Sequence, residues 1–424
     1  MSGLTRRGLV GAALAGSVIF VPRGARAQGT TPPPLPGAGG PPPLPGGAAP
    51  PPLPGGTAAT VLQPGTRFVW YGSSASIPGE YQQLEPDYNG EWVDKATGRH
   101  YHESDVQGPA GAGYVVIDVL AAGAAGYLMG LSSYLIHIDA GNATTLIEAN
   151  GLTSGLDSVP DFWILPERLA PYTDASIGAT RVLHMPYTLS GRTYRALRIQ
   201  VDSGAGWSQT TYDLDTGLVI VSSSVTQGAA VLIRDPSNRL VPGSGNTMMT
   251  YSQIAGVRQT KLPGRGAVFP QAVQGLHALV YRGQRGILIS GTQVPASPME
   301  VRYDVTSTSP LFLTARMTAS GYFGGPPTTV DRILPAGTIG SVWMNPAELQ
   351  DFGQDQVIDQ DPITGVQVVA VGRTSGLAVF SARTSLSQYT FGYDLRSGIL
   401  SATDARVQVG PATDVTQLQL AGTQ

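Results

Sequence analysis

The sequence predicts a mainly β protein with two tandem, related antiparallel domains, each a curved sheet or half-barrel crossed by one short helix. Two observations carry this prediction. The chain is rich in turn and strand formers, with 55 glycines and only 13% charged residues among 424. A compound motif also occurs twice: a tryptophan followed by proline at the third and leucine at the sixth position, and 49 or 50 residues later a Tyr-Asp-Leu hairpin that ends in glycine.

The two copies of this motif indicate an internal duplication. The first runs from Trp163 to its hairpin at Tyr212, and the second runs from Trp343 to Tyr393. An Asp followed by Thr or Ser and then Gly is typical of a tight turn, in which the carboxylate accepts from backbone N–H groups and the glycine adopts positive φ. Four such turns are expected as exposed hairpin tips, at 94–98, 213–217, 361–365 and 394–398.

The first 27 residues have the pattern of an export signal. Arg6 and Arg7 precede a short apolar stretch that glycines weaken, and a small-residue end follows at Ala25 and Ala27. The segment resembles a twin-arginine signal, and the resemblance implies cleavage after Ala27 and a periplasmic or secreted mature protein. A Sec signal or an uncleaved anchor is the alternative interpretation.

Residues 28–60 are expected to form a disordered linker. The hexapeptide Pro-Pro-Pro-Leu-Pro-Gly begins at Pro32, Pro41 and Pro50, with glycine and alanine between the copies. Such a segment cannot build a core, and its prolines favour extended polyproline II. The alternative is a ligand for an aromatic groove on another protein.

The rest of the chain is divided by the repeat into one β domain at 61–228, a second at 229–408 and a C-terminal tail at 409–424. The most polar stretch, 85–106, is expected to be an insertion in the first copy. The best helix candidates are Pro166–Tyr172 and Pro346–Phe352, because each begins with proline and carries a glutamate in its first turn.

Composition narrows the classes of function. The chain has no cysteine, which excludes disulfides, thiolate metal sites and thiol nucleophiles. The whole chain carries a net charge of −3, and the signal holds four arginines and no acidic residue, so the mature protein would carry −7. That charge argues against nucleic acid as a partner. The apolar run 114–136 is interrupted by glycines and is predicted to form two strands, so no transmembrane segment is expected in the mature chain.

The sequence contains no nucleophile elbow, zinc-protease motif or phosphate-binding loop, so no catalytic residue and no cofactor is assigned. His100 and His102 lie two residues apart and, with Asp105, are weak candidates for a shallow metal site. Calcium at Asp213 and Asp215 is disfavoured because the second copy has Arg396 in place of Asp215.

The leading functional hypothesis is non-catalytic binding of an apolar or sugar-like ligand in a β-sheet concavity, by a protein of the cell envelope. The aromatic candidates for the ligand site are Trp70, Trp163, Trp207 and Trp343. Core packing is the competing interpretation of each tryptophan. The alternative functions are a structural or adhesive surface protein and a carboxylate-dependent hydrolase of the glycoside hydrolase type. For the hydrolase, the available carboxylates are Glu148, Asp157, Asp161, Glu167, Asp213 and Asp215.

Overall fold

The structure is a computed structural model that describes residues 61–424 apart from short gaps at 78–82, 88–90, 103–104, 109–110, 160, 236, 238, 290–291, 294–295, 321–326 and 410. The predicted export signal and linker, residues 1–60, lie outside the described residues. No helix within the described part of the chain has the length and apolar character needed to cross a bilayer.

The first half of the described chain forms fifteen strands. In chain order they are β1 (Thr66–Ile77), β2 (Leu84–Pro86), β3 (Trp92–Asp94), β4 (Arg99–Tyr101), β5 (Gly111–Gly123), β6 (Gly126–His137), β7 (Ala143–Ser154), β8 (Ser158–Val159), β9 (Trp163–Ile164), β10 (Ala175–Ile177), β11 (Thr180–Leu189), β12 (Arg192–Ser203), β13 (Gly206–Asp213), β14 (Val219–Arg234) and β15 (Leu240–Gln259). Ten of them make one antiparallel sheet in the order β10-β11-β12-β13-β14-β15-β1-β5-β6-β7, while β2-β3-β4 and β8-β9 form two small separate sheets.

The second half repeats this plan. Its strands are β16 (Ala278–Ile289), β17 (Thr292–Gln293), β18 (Ser297–Thr308), β19 (Phe312–Ala319), β20 (Thr328–Pro335), β21 (Gln356–Gln360), β22 (Gln367–Thr374), β23 (Leu377–Arg383), β24 (Ser387–Asp394), β25 (Leu400–Val409) and β26 (Ala412–Thr423). Ten of them follow the order β21-β22-β23-β24-β25-β26-β16-β18-β19-β20, and the short β17 pairs with β16 off this path.

The two sheets therefore have the same topology, and the predicted mainly β fold with two tandem related domains is confirmed. In the first sheet β1 lies between β15 and β5, and in the second sheet β16 lies between β26 and β18. The pairing of β1 with β15 has a bulge just before Trp70, and the pairing of β16 with β26 has one just before Tyr281, so these two residues are equivalent. The Trp70 indole donates to the Val219 carbonyl, and the Tyr281 hydroxyl donates to the Leu400 carbonyl two residues past the equivalent hairpin glycine.

The predicted domain boundaries need correction. Residue 228 lies inside β14, and β15 pairs with both β14 and β1, so the first sheet extends to Gln259. Residues 409–424 are not a tail, because β26 lies in the middle of the second sheet between β25 and β16. In both domains the last strand returns to the first, and this pairing of distant segments has no local sequence signal. The insertion expected at 85–106 contains most of the separate β2-β3-β4 sheet. Among the described residues of the second domain there is no equivalent three-stranded sheet, and β17 is the one strand outside the ten-strand order.

The helices of the described residues are few and short. They are α1 (Pro166–Leu169), α2 (Gln271–Gln274) and two 3₁₀ turns at Ile138–Ala140 and Glu348–Gln350. The first predicted helix is therefore a single α-helical turn, and the second is a 3₁₀ turn. Each follows its tryptophan and contains one buried leucine, Leu169 or Leu349.

The repeated tryptophan contacts the repeated hairpin in the same way in both domains. The Trp163 indole N–H donates to the Thr216 carbonyl at 2.7 Å, and the Trp343 indole N–H donates to the Ser397 carbonyl at 2.9 Å. Each acceptor immediately precedes the hairpin glycine. The tryptophan thus fixes the hairpin against its own domain core in both domains.

The turn geometry predicted for the four Asp-x-x-(Thr/Ser)-Gly segments is confirmed. The four glycines have φ between 66° and 76°, and each N–H donates to the carbonyl of the aspartate four residues before it. In all four turns the aspartate carboxylate accepts from at least one backbone N–H. The predicted exposure is wrong for 213–217 and 361–365, in which both the aspartate and the threonine are buried. In the turn 94–98 Asp94 is buried as well, but residues 95–98 are exposed.

The turn 361–365 is buried because it packs on the outer face of the first sheet. Ile363 lies among Val69, Tyr71 and Tyr114. Next to it is an interdomain ion network, which we define as Arg67, Asp118 and Arg258 of the first sheet with Asp359 and Asp361 of the second domain. Two arginines that are direct neighbours in the first sheet are thereby neutralised by carboxylates of the other domain.

The pKa values of this network predict that domain docking weakens in acid. Burial alone would raise the pKa of Asp361, but the charges of Arg67 and Arg258 outweigh it and hold the pKa below its usual value; the same balance lowers the pKa of Asp359. A carboxyl with a depressed folded-state pKa contributes stability above its unfolded-state pKa of about 4 and loses it as the pH falls through the folded-state value.

Thermal denaturation from about pH 7 to about pH 2 checks this expectation. The melting temperature of the wild type should change little until the pH approaches the ordinary carboxyl range and should then fall. The melting temperature of Asp361→Asn should fall less over the same pH range, because the asparagine amide does not titrate. Parallel acid profiles for the two proteins would contradict the role assigned to the network.

Candidate functional site

A groove with a volume of about 590 Å³ lies on the outer face of the second sheet. The strand register builds it from two cross-strand rows. One row contains Val379, Gly392, Ala402, Gln419 and Arg282 on five adjacent strands, and the next contains Thr390, Asp404, Gln417 and Gln284. We call this surface the outer groove.

Small residues make the floor of the outer groove. A Cβ on Gly392 would lie 3.3 Å from the Leu377 side chain and 3.6 Å from Ala402 Cβ, so glycine here lets these neighbours approach. Longer polar side chains stand on the β16 and β26 side, where Arg282, Gln417 and Gln419 are exposed. The result is an apolar side at Leu377 and Val379 opposite a polar side.

Hydrogen bonds orient the polar side. Gln417 donates through Nε2 to Asp404 Oδ2 at 2.7 Å, and Gln284 donates through Nε2 to Gln417 Oε1 at 3.3 Å. Arg406 also donates to Asp404 at 3.1 Å. A smaller cavity of about 130 Å³ adjoins the groove and shares Gln284 and Gln417 with it. The amide, guanidinium and carboxylate groups thus form one chain along the sheet.

The equivalent face of the first sheet is covered. Tyr71 is the equivalent of Arg282, because each is the second residue after the bulge of its strand; Tyr71 pairs with Gln253, and Arg282 pairs with Gln419. Tyr71 packs with Ile363 under the 361–365 turn, and burial raises the pKa of its neighbour Tyr114 to about 12. One outer face is therefore buried in a domain interface, and the matching face of the second domain is the outer groove.

The structure does not bring the four predicted tryptophans together. Trp70 and Trp163 are buried in the core of the first domain, and Trp343 is buried in the core of the second. Each donates its indole N–H to a backbone carbonyl. Trp207 is half-buried on β13. The first three are thus core residues that bury their rings and satisfy their polar atoms, which leaves no ring surface for a ligand.

The metal candidates are only partly brought together. His100 and His102 both face Glu91, with their Nδ1 atoms 2.9 and 3.4 Å from its carboxylate oxygens. Asp105 instead accepts from the backbone N–H of His102. Asp87, which the sequence analysis did not single out, takes the place expected for Asp105 beside His100.

Four of the six carboxylates considered for a hydrolase make ion pairs or a hydrogen bond within a turn. Glu148 pairs with Arg332 across the domain interface, Asp157 pairs with Arg168, and Asp215 pairs with Arg195. Asp213 accepts from the Thr216 hydroxyl within its own turn. Asp161 lies in a turn at φ 67°, and Glu167 is exposed in the first turn of α1. Among the residues lining the outer groove, Asp404 is the only carboxylate.

Sequence reasoning missed the groove residues for an identifiable reason. Gln417 and Gln419 lie in the predicted tail 409–424, although their i, i+2 spacing with leucine between them is the alternation of a half-buried strand. That signal was present in the sequence. The pairing of β26 with β16, which brings Gln419 next to Arg282, was not.

Comparisons with known proteins add little. No family model and no curated protein matches the chain. Among solved structures, a likeness is found to the crystal structure of a "putative AttH" from Nitrosomonas europaea, which is 9% identical, spans 83% of this chain and 92% of that chain, and has a TM-score of 0.13. A likeness this low carries no argument about fold or function.

Proposed function

We propose that the protein is an exported, non-catalytic binding protein that holds a sugar-like ligand in the outer groove. The observation that carries the proposal is the chain of oriented polar groups, Gln284, Gln417, Asp404 and Arg406, beside a small-residue floor. The groove volume of about 590 Å³ lies within the range of small-molecule sites.

The residue types favour a sugar over a wholly apolar ligand. Sugar hydroxyls both donate and accept, and glutamine amides and carboxylates supply the matching groups at fixed positions. Leu377 and Val379 provide an apolar side on which the C–H face of a sugar ring can pack. A single carboxylate in the groove lining also favours binding over glycoside hydrolysis, which requires a pair.

The export part of the proposal rests on the N-terminal twin-arginine-like segment. The proline-rich segment after the signal would then be an extended spacer at the N-terminus of the mature protein, ahead of the two domains. A binding module on a spacer is consistent with a cell-envelope component that captures saccharides.

Glycan-array screening followed by calorimetric titration of the best glycan tests this proposal. Gln417→Leu should weaken binding by about tenfold, because it removes one hydrogen-bonding amide and leaves Asp404 and Gln284 with a lost partner. Gln360→Leu is the matched control, because Gln360 is an exposed glutamine on β21 of the same sheet that does not line the groove.

Equal binding by wild type and Gln417→Leu, or no saturable glycan binding by the wild type, would contradict the proposal. Turnover of a glycoside that is lost in Asp404→Asn would instead favour the hydrolase.

A further inference from the structure

A second candidate site lies on the small β2-β3-β4 sheet of the first domain. The last residue pairs at one end of this sheet are Pro86↔Trp92 and Trp92↔Tyr101. The next residue of each strand in the same register is Asp87, Glu91 or His102, so these three residues lie side by side at the strand ends. His100 is two residues before His102 and therefore shares its face. Four side chains that commonly bind metals thus converge on one face.

The distances between their ligand atoms are short. His100 Nδ1 lies 2.9 Å from Glu91 Oε2 and 3.8 Å from Asp87 Oδ2, and His102 Nδ1 lies 3.4 Å from Glu91 Oε1. Ligand atoms of Asp87, Glu91 and His100 all lie within 4.8 Å of one another. Four ligands bound tetrahedrally at about 2.0–2.1 Å are about 3.3 Å apart, so the observed separations bracket that value.

The supporting hairpin is held in place. Asp87 Oδ1 accepts from the Glu91 backbone N–H at 2.9 Å, which fixes this carboxyl and leaves Oδ2 toward His100. At the other end of the hairpin, buried Asp94 accepts from the Ser244 hydroxyl of β15 at 2.9 Å. A small core beneath the sheet contains Leu84, Tyr101 and Ala230. The ligands are therefore presented by a hairpin that is anchored to the first domain.

We propose that Asp87, Glu91, His100 and His102 form a divalent metal site of the zinc type. Imidazole nitrogens combined with carboxylate oxygens suit Zn²⁺, whereas Ca²⁺ prefers oxygen ligands alone and Cu(I) prefers sulfur. Two carboxylates balance the charge of the ion, and the imidazoles bind as neutral ligands. The site belongs to the insertion that distinguishes the first domain from the second, and it is independent of the outer groove.

Calorimetric titration of the untagged, chelator-treated full chain with zinc chloride tests the site. We expect one Zn²⁺ per chain in the wild type and a loss of at least about tenfold in affinity in Glu91→Gln, which removes the carboxylate shared by both histidines. His102→Gln should also weaken binding, and because this ring is largely exposed the change should leave the fold intact. The chain loaded with Co²⁺ should show the intense visible absorption of four-coordinate cobalt.

The chain supplies a matched control in another exposed imidazole–carboxylate pair. His184 Nδ1 lies 2.7 Å from Asp174 Oδ1, but in the described part of the chain no third ligand groups with them. His184→Gln should therefore bind Zn²⁺ as the wild type does. Absence of saturable binding by the wild type, unchanged affinity in Glu91→Gln, or an equal loss in His184→Gln would overturn the proposal. None of these outcomes depends on glycan binding.

Discussion

Replacing Asp361 by Asn is expected to lower the free energy of unfolding by about 3 kcal/mol or more, because it breaks a buried ion pair from one side. The Asp361 carboxylate is fully buried and accepts from Arg67 at 2.9 Å, with Arg258 at 3.4 Å. Without it, two adjacent and largely buried arginines remain with less countercharge. Urea denaturation measured by tryptophan fluorescence gives the loss.

Asp394→Asn is the matched control for this change. Asp394 occupies the same position in an equivalent turn, and it too accepts from two backbone N–H groups, but it lies near the surface and, among the described residues, pairs with no buried arginine. An asparagine oxygen can still accept those bonds, so the cost should stay below about 1 kcal/mol. A similar loss in both variants would show that the turn, and not the ion network, accounts for the effect of Asp361.

The second large effect is expected from Gly217→Ala, which should cost about 3 kcal/mol. Its φ of 76° disfavours any side chain by about 1–2 kcal/mol. A Cβ at this position would also lie 1.8 Å from the Ile164 carbonyl oxygen and 3.0 Å from Trp163 Nε1. Relief of that contact requires movement of the backbone that the tryptophan fixes, which adds a cost similar to that of overpacking a core.

Gly98→Ala separates the two contributions. Gly98 ends a turn of the same sequence type at φ 66°, but a Cβ added there would have no atom of the described residues within 4 Å. It should therefore cost only about 1–2 kcal/mol. Gly398→Ala, whose Cβ would lie 2.0 Å from the Met344 carbonyl oxygen, should repeat the result of Gly217→Ala in the second domain. Equal losses at Gly98 and Gly217 in urea denaturation would refute the contact with the tryptophan segment.

The four turns show that their backbone geometry is determined locally, whereas their burial depends on tertiary contacts. The sequence predicted φ > 0 at all four glycines, because an Asp-x-x-(Thr/Ser)-Gly turn closes through bonds among five consecutive residues. It did not predict that Asp361 would be buried. Burial of that turn depends on an arginine 294 residues away in the chain, at Arg67.

The candidate sites divide in the same way. His100 and His102 were found from the sequence because alternate residues of one strand share a face, but Asp87 joined them only through the pairing of β2 with β3. The outer groove was not found, because its rows combine five strands from 282 to 419. The tryptophans were found as a repeated feature, and their burial in the two cores was decided by packing.

The strand-rich composition, the duplication and the geometry of the turns could all be derived from the amino-acid pattern, since each depends on residues close together in the chain or on direct repetition. Where each domain ends required the folded arrangement, because β1 pairs with β15 and β16 pairs with β26 across more than a hundred residues. The same holds for which outer face is covered and which is open. That difference arises because the 361–365 turn of the second domain packs on the outer face of the first sheet. This contact forms between the two domains, so the sequence of either domain by itself does not determine it.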